Sequence, residues 1–276
     1  MTWWQALILG VVEGLTEYLP VSSTGHLILA QWILGKGQDP AVNSFLIVIQ
    51  AGAIAAVLGL YRGRVQQMVL GLVGRDDAGR RLVVNLLIAF VPAAVLGPLF
   101  AERIEQALFA PGPVIAALFV GAWLMLVTAM SGVGKRASLE IEQLQAPVAL
   151  LIGFGQCIAM WPGVSRSMVT IVAALLLGMR PRAAAEFSFL LGLVTLTGAT
   201  CYKAWYDGAQ MINDLGWSVI LVGTIAAALS AAVAIKWFVS ALTRFGLAPF
   251  GWYRLALATV LAVLSVTGDG FSSPDG

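Results

Sequence analysis

Residues 13–26 read EGLTEYLPVSSTGH. They place two carboxylates, a Ser-Ser-Thr run and a histidine in a chain whose other segments are mostly apolar enough to lie in a lipid bilayer. The 276 residues are 59% hydrophobic and 11% charged, whereas about a quarter of an ordinary soluble domain is charged. Ionisable groups at membrane depth are costly and usually mark a functional site. The stretch therefore predicts the polar centre of an all-α polytopic membrane protein.

Six apolar windows, each near the ~20 residues that a spanning helix needs, predict about six full transmembrane helices. They lie near residues 44–61, 82–100, 113–131, 186–206, 216–238 and 250–268. The start lacks a basic n-region and a small-residue cleavage site, so no signal peptide is expected. Cys157 and Cys201 have no C-x-x-C spacing and are expected to be small core residues.

The basic residues predict the orientation of the spans. Five arginines crowd the connection between the first two spans: Arg62, Arg64, Arg75, Arg80 and Arg81. By the positive-inside rule this connection is cytoplasmic. Following the chain then puts Lys135 and Arg136 inside, the loop with Asp207 and Asp214 outside, and the Lys236–Arg244 region inside. Both termini are predicted outside.

Two further apolar regions, about residues 3–34 and 147–179, must enter and leave by the same side for this alternation to hold. Both are therefore predicted as re-entrant helical hairpins. Each is interrupted, at Pro20 in the first and at Pro162 and Gly163 in the second. Such breaks are tolerated at membrane depth where the backbone lines a cavity.

The two hairpins also resemble each other. A shift of 143 positions superimposes five pairs: Gly10 and Gly153, Glu13 and Gln156, Val21 and Val164, Ser22 and Ser165, Ser23 and Arg166. Since three spans follow each hairpin, the halves have opposite orientation, as in an inverted-topology repeat. One integral membrane domain is predicted, with half 1 at about 1–131, a cytoplasmic loop at 132–146, half 2 at 147–268 and a polar tail at 269–276.

The first hairpin predicts a reactive site. Glu13 and Glu17 are four residues apart and share one helix face, where both cannot ionise cheaply without a cation, a proton or an arginine. The alternative is a pair of snorkelling surface glutamates. Ser23 and His26, three residues apart, are predicted as a nucleophile and its proton partner, although a lone histidine is more often structural. Three neighbours suit an anion at a helix N-terminus: Ser22, Thr24 and Gly25.

The second hairpin predicts the cation of the site. The guanidinium of Arg166 stays charged and its fork suits phosphate oxygens. The alternative makes Arg166 a counter-ion for the glutamates, with Ser165 and Ser167 capping the following helix. Gln50 is either a further ligand or an interhelical hydrogen-bonding residue. Glu186 is expected to be a helix-start acid.

EGLTEYLPVSSTGH at 13–26 and PGVSRS at 162–167 resemble the two signature motifs of the bacterial undecaprenyl-diphosphate phosphatase family, the bacitracin-resistance type. The likeness continues through VIQAGAI at 48–54, PAAVLGPLF at 92–100 and AEFSFLLG at 185–192. The resemblance implies a hydrolase of the bacterial inner membrane that converts undecaprenyl diphosphate to the monophosphate carrier lipid. That lipid serves peptidoglycan and other envelope polymers, and bacitracin resistance is the implied consequence.

By motif, the resemblance implies Glu17, Ser23, His26 and Arg166 as catalytic residues. It also implies a divalent cation, Mg²⁺ or Ca²⁺, with Glu13 and Glu17 as direct or indirect ligands. The expected partners are the isoprenyl diphosphate and the bilayer, with no nucleic acid; a homodimer is left open. A lipid transporter or flippase remains the alternative function, since inverted repeats suit alternating access.

The chain departs from the family pattern at four positions: Leu46, Met168, Val169 and Val194. None is a motif residue named above. Met168 lies beside Arg166, so the departures put the accepted substrate in doubt more than the reaction type.

Overall fold

Helices make up almost all of the structure, a computed structural model that describes residues 1–36, 40–108 and 110–267. In these ranges there is no strand, and the single β-bridge joins Leu139 to Met179. The all-α class is therefore confirmed. The predicted polar tail at 269–276 lies outside the described residues.

Thirteen α-helices occur in the described ranges. They are α1 (Trp3–Thr16), α2 (Ser23–Ile33), α3 (Pro40–Val48), α4 (Gln50–Leu60), α5 (Arg62–Leu72), α6 (Asp77–Leu108), α7 (Pro111–Met130), α8 (Val133–Arg136), α9 (Ala146–Cys157), α10 (Arg166–Leu176), α11 (Pro181–Leu215), α12 (Trp217–Phe245) and α13 (Ala248–Thr267).

Six helical segments are long and apolar enough to cross a membrane, which confirms the six predicted windows. They are Ala41–Leu60, Asp77–Phe100, Pro111–Met130, Pro181–Leu215, Trp217–Phe245 and Ala248–Val266. The first of them is broken at Ile49, between α3 and α4. The chain is therefore a multi-pass membrane protein.

One predicted loop is wrong, because the helix continues past its apolar window. Asp207 and Asp214 lie within α11, and the Lys236–Arg244 region lies within α12. Only Gly216, whose φ of 80° suits the left-handed region, separates the two helices. Asp207 forms a salt bridge of 2.5 Å with Lys203 one turn earlier, so its charge is compensated within the helix.

The helices α1, α2, α9 and α10 are too short to cross a bilayer singly. They contain 14, 11, 12 and 11 residues. At 1.5 Å per residue that is about 16–21 Å, against a hydrocarbon core of about 30 Å. They form two hairpins, α1 with α2 and α9 with α10, which is the geometry expected of re-entrant segments.

The two hairpins share their backbone geometry at the predicted offset of 143 residues. Ser22 and Ser165 are the only non-glycine residues with positive φ in the described ranges, at 74° and 72°. Each caps the helix that follows it. The Oγ of Ser22 accepts a hydrogen bond from the Gly25 N–H, and the Oγ of Ser165 accepts one from the Met168 N–H.

Each hairpin packs against the opposite half of the chain. α1 lies along α12, and α9 lies along α6. Glycines allow these approaches: a Cβ on Gly10 would overlap the Gly223 carbonyl, and one on Gly153 would overlap the backbone of Ala89. Small residues at such crossings let the helix backbones come close. The two hairpin turns thus meet inside the protein.

Other expectations need correction. Glu186 is not a helix-start acid: it is the sixth residue of α11 and pairs with Arg64 at 2.5 Å, while Arg64 also pairs with Glu142. Of the two cysteines, Cys201 is exposed and Cys157 half-buried, because both lie on outward helix faces. A cavity of about 450 Å³ around Arg64 is lined by charged residues and lies apart from the hairpin turns.

Candidate active site at the hairpin turns

One chain of contacts joins the reactive groups of the two halves. The Oγ of Ser23 donates a hydrogen bond to Oε2 of Glu17 at 2.7 Å. The other carboxylate oxygen of Glu17, Oε1, accepts from Nη2 of Arg166 at 3.0 Å. The side chains of Glu17 and Arg166 are only 7% and 12% exposed, so this is a largely buried ion pair. Three predicted site residues are therefore in direct contact.

The surroundings of Arg166 fix its guanidinium in place. Nη1 donates to the Ser188 carbonyl at 3.0 Å, and the group lies 5.4 Å from the centre of the Tyr18 ring, within reach of a cation–π attraction. A Cβ on Gly192 would overlap both Nη atoms, so any larger residue here would push the guanidinium out of this position. The Nε–H of Arg166 has no described hydrogen-bond partner. Arg166 is thus a counter-ion of Glu17, as the alternative predicted, and its Nε–H remains free of described partners.

Glu13 and Gln156, equivalent under the 143-residue offset, are both buried without partners. Glu13 is fully buried, and neither of its carboxylate oxygens has a hydrogen-bond partner among the described residues. The same is true of both amide atoms of Gln156, which is 3% exposed. Burial excludes the snorkelling alternative for Glu13. Unpartnered buried polar atoms are rare and call for an explanation, such as a ligand or water.

The serines of the second hairpin join the two turns. Ser165 caps α10, as the capping alternative predicted, and its Oγ lies 3.1 Å from that of Ser167. Ser167 is fully buried and donates to the Leu19 carbonyl in the first hairpin at 2.8 Å.

Thr24 is half-buried and its hydroxyl makes no hydrogen bond to a described residue. Its hydroxyl is thus available to a ligand.

His26 does not make the predicted contact with Ser23. Its Nδ1 lies 2.7 Å from the Ser22 carbonyl, and its Nε2 lies 2.7 Å from the Tyr253 hydroxyl. Ser23 and His26 both lie in the first turn of α2, as their spacing predicted. The turn at Ser22, however, directs the Ser23 hydroxyl toward Glu17. The proton acceptor in contact with Ser23 is therefore a carboxylate.

Gln50 forms none of the hydrogen bonds described above. It opens α4 next to the break at Ile49 and is half-buried. Its side chain forms no hydrogen bond to a described residue, and its role as a ligand stays a prediction. The departures Leu46 and Met168 are buried core residues, at 8% and 1% exposure, and Met168 also supplies the N–H that Ser165 caps.

Arg254 is the main residue that the sequence reasoning missed. It is completely buried in α13, and its guanidinium donates to four backbone carbonyls: Leu118 at 3.0 Å, Ala117 at 2.9 Å, Gly163 at 2.6 Å and Pro20 at 3.5 Å. It thus holds the turns of both hairpins. An arginine inside an apolar span is the signal that drew attention to Glu13, and it applied equally here.

The paired glutamates fit a divalent cation in part. Among the described residues no three His, Cys, Asp or Glu side chains cluster as a metal cage. Mg²⁺, however, is commonly bound by one or two carboxylates together with water and substrate phosphate. The unpartnered oxygens of Glu13 provide such a ligand, whereas both oxygens of Glu17 already have partners.

The sequence profile of the family described as "Bacitracin resistance protein BacA" matches residues 6–260. The chain belongs to this family. BacA-family proteins named "Undecaprenyl-diphosphatase" are similar over most of their length. That of Sorangium cellulosum is 46% identical over 95% of this chain and 86% of its own. Those of Rhodopseudomonas palustris and Sphingopyxis alaskensis are 43% and 47% identical, over 93% and 90% of this chain and 94% and 92% of theirs.

Proposed function

We propose that this chain hydrolyses undecaprenyl diphosphate to undecaprenyl phosphate and inorganic phosphate. The contact chain from Ser23 through Glu17 to Arg166 carries the proposal, because it aligns a nucleophile, a proton acceptor and a cation in one buried site. The activity named for relatives at 40–47% identity supports it. It would recycle the carrier lipid in the bacterial inner membrane, with both termini outside, and so confer bacitracin resistance.

Ser23 begins the reaction in this mechanism. Its Oγ attacks the terminal phosphorus while Oε2 of Glu17 accepts the hydroxyl proton. The bridging P–O bond breaks, and its electron pair leaves with the lipid monophosphate. The proton on Glu17 passes to that departing phosphate. Water then attacks the phosphoserine, the Glu17 carboxylate takes a proton from the water, the P–Oγ bond breaks, and Glu17 returns the proton to the Ser23 Oγ as inorganic phosphate is released. Direct attack by water, with Glu17 as the base, is the alternative within the same site.

Charge on the transferred phosphoryl group is stabilised by fixed donors. The free Nε–H of Arg166 and the hydroxyls of Tyr18 and Thr24 have no described partner and can donate to phosphate oxygens. Ser22 and Gly25 shape the N-terminus of α2 that faces the anion. A divalent cation held by Glu13, and by Glu17 through water, would supply Lewis-acid polarisation of phosphoryl oxygens.

Phosphate release by detergent-purified protein, measured with an isoprenyl diphosphate, tests the proposal. We expect Glu17→Gln and Arg166→Met to lower turnover by about 100-fold or more, since each removes a group that stabilises the transition state. Glu140→Gln and Arg180→Met are matched controls, because these residues form an exposed ion pair away from the hairpin turns. A wild-type protein that releases no phosphate but moves the lipid across vesicles would instead be a transporter.

A further inference from the structure

The contacts of His26 define which ring nitrogen carries the proton. The Ser22 carbonyl can only accept, so Nδ1, at 2.7 Å from it, must be the protonated donor. In a neutral imidazole Nε2 is then the acceptor. The Tyr253 hydroxyl, 2.7 Å away, therefore donates to Nε2. Tyr253 and the Ser22 carbonyl together select one tautomer of His26.

Tyr253 is placed beside the imidazole by α13 and its neighbours. Its ring lies nearly parallel to the imidazole, with an interplanar angle of 5° and centroids 5.7 Å apart. The next residue is Arg254, whose guanidinium is fixed by backbone carbonyls of both hairpin turns. Leu29 of α2 packs against apolar residues of α7 and α13. The backbone that carries Tyr253 is therefore fixed beside the hairpin turns, and its ring is held against His26 by the hydroxyl contact and the parallel arrangement of the two rings.

The carbonyl that His26 holds belongs to the strained residue of the turn. Ser22 has a φ of 74°, a conformation that strains the backbone of a non-glycine residue. Such backbone persists only where its surroundings fix it. Ser23 follows directly, and in this conformation of the turn its hydroxyl donates to Glu17. The hydrogen bond from His26 to the Ser22 carbonyl therefore controls where the Ser23 hydroxyl lies.

We propose that Tyr253 is a positioning residue for the hydrolysis site: by donating to Nε2 it keeps the Nδ1–H of His26 on the Ser22 carbonyl and thereby aims Ser23 at Glu17. This rests on the proposed function. It assigns His26 a role other than taking the serine proton, and it gives the half-exposed tyrosine of α13 a part in a site made by the two hairpins.

His26 is the only histidine of the chain, so its ring can be observed alone. The protein, labelled with ¹⁵N-histidine and purified through a histidine-free tag, should show a protonated Nδ1 and a hydrogen-bonded acceptor Nε2. Tyr253→Phe should move the Nε2 resonance toward that of an unbonded acceptor. It should also lower kcat for phosphate release about 10-fold, the scale of one hydrogen bond, with KM within about twofold.

Tyr206→Phe is the matched control, because Tyr206 is exposed on α11, where its ring lies against that of Tyr202. It should change neither the ¹⁵N signals nor kcat. A wild-type spectrum with Nε2 protonated would overturn the proposal, even if Tyr253→Phe fails to fold. An Nε2 shift without a change in kcat would also overturn it. Failure of the wild type to release phosphate would refute the proposed function, while the spectrum still tests the contact.

Discussion

Arg254→Lys should destabilise the protein strongly although it keeps the charge. Three carbonyls lie within 3.0 Å of the guanidinium, and they are reached from two different nitrogens, Nε and Nη2. A single ammonium group at the end of a lysine cannot cover all three positions. An ammonium at the position of Nη2 keeps the two carbonyls that Nη2 reaches and loses the bond from Nε to Leu118. At about 1.5–3 kcal/mol for a bond to a charged group, the free energy of unfolding should fall by at least about 1.5–3 kcal/mol.

Denaturation in detergent measures this change through the fluorescence of the nine tryptophans. Arg180→Lys is the control, since Arg180 pairs with Glu140 at the surface, where their side chains are 56% and 46% exposed. Such pairs contribute about 0–1 kcal/mol. If Arg254→Lys unfolds within about 1 kcal/mol of the wild type, the carbonyl contacts do not hold the hairpin turns together, and the argument from Arg254 is refuted.

Three further substitutions test the site. Ser23→Ala should lower phosphate release about 1,000-fold if serine is the nucleophile; near-normal turnover would instead establish direct attack by water. Gly192→Ala should displace the guanidinium of Arg166 and reduce turnover about 10-fold or more, and a rate within twofold of the wild type would contradict the packing. Gln156→Leu should raise the free energy of unfolding by about 1–2 kcal/mol, because it removes two unpartnered buried atoms; a loss of stability on denaturation would count against this.

The sequence predicted the architecture well because lipid imposes a simple rule. A spanning helix must be apolar over about 20 residues, so the six windows were visible without any knowledge of packing. The helix ends were harder to predict, since polar residues such as Asp207 continue a helix into water by pairing one turn away. The offset of 143 residues was visible because Ser22 and Ser165 perform the same capping role.

The site was only partly predictable, because contacts between distant segments depend on side-chain direction. Spacing placed Ser23 near His26, but the backbone at Ser22 turns the hydroxyl toward Glu17. Arg254 and Tyr253 act across more than 200 residues of sequence, and neither belongs to a local motif. Arg254 could have been noticed as an ionisable group in an apolar span; nothing in the sequence pointed to Tyr253.

The exchange of packing partners between the halves has a consequence for synthesis. α1 leaves the ribosome first, yet α12, along which it lies, begins roughly 200 residues later. At about 5–20 residues per second, the first hairpin waits about 10–40 s for its neighbour. Arg166 follows Glu17 by 149 residues, so the two glutamates lack their cation for most of that time, and α12 is absent for all of it. The polar segment must therefore stay at the bilayer surface or in the insertion machinery, and the site closes only when nearly the whole chain has been made.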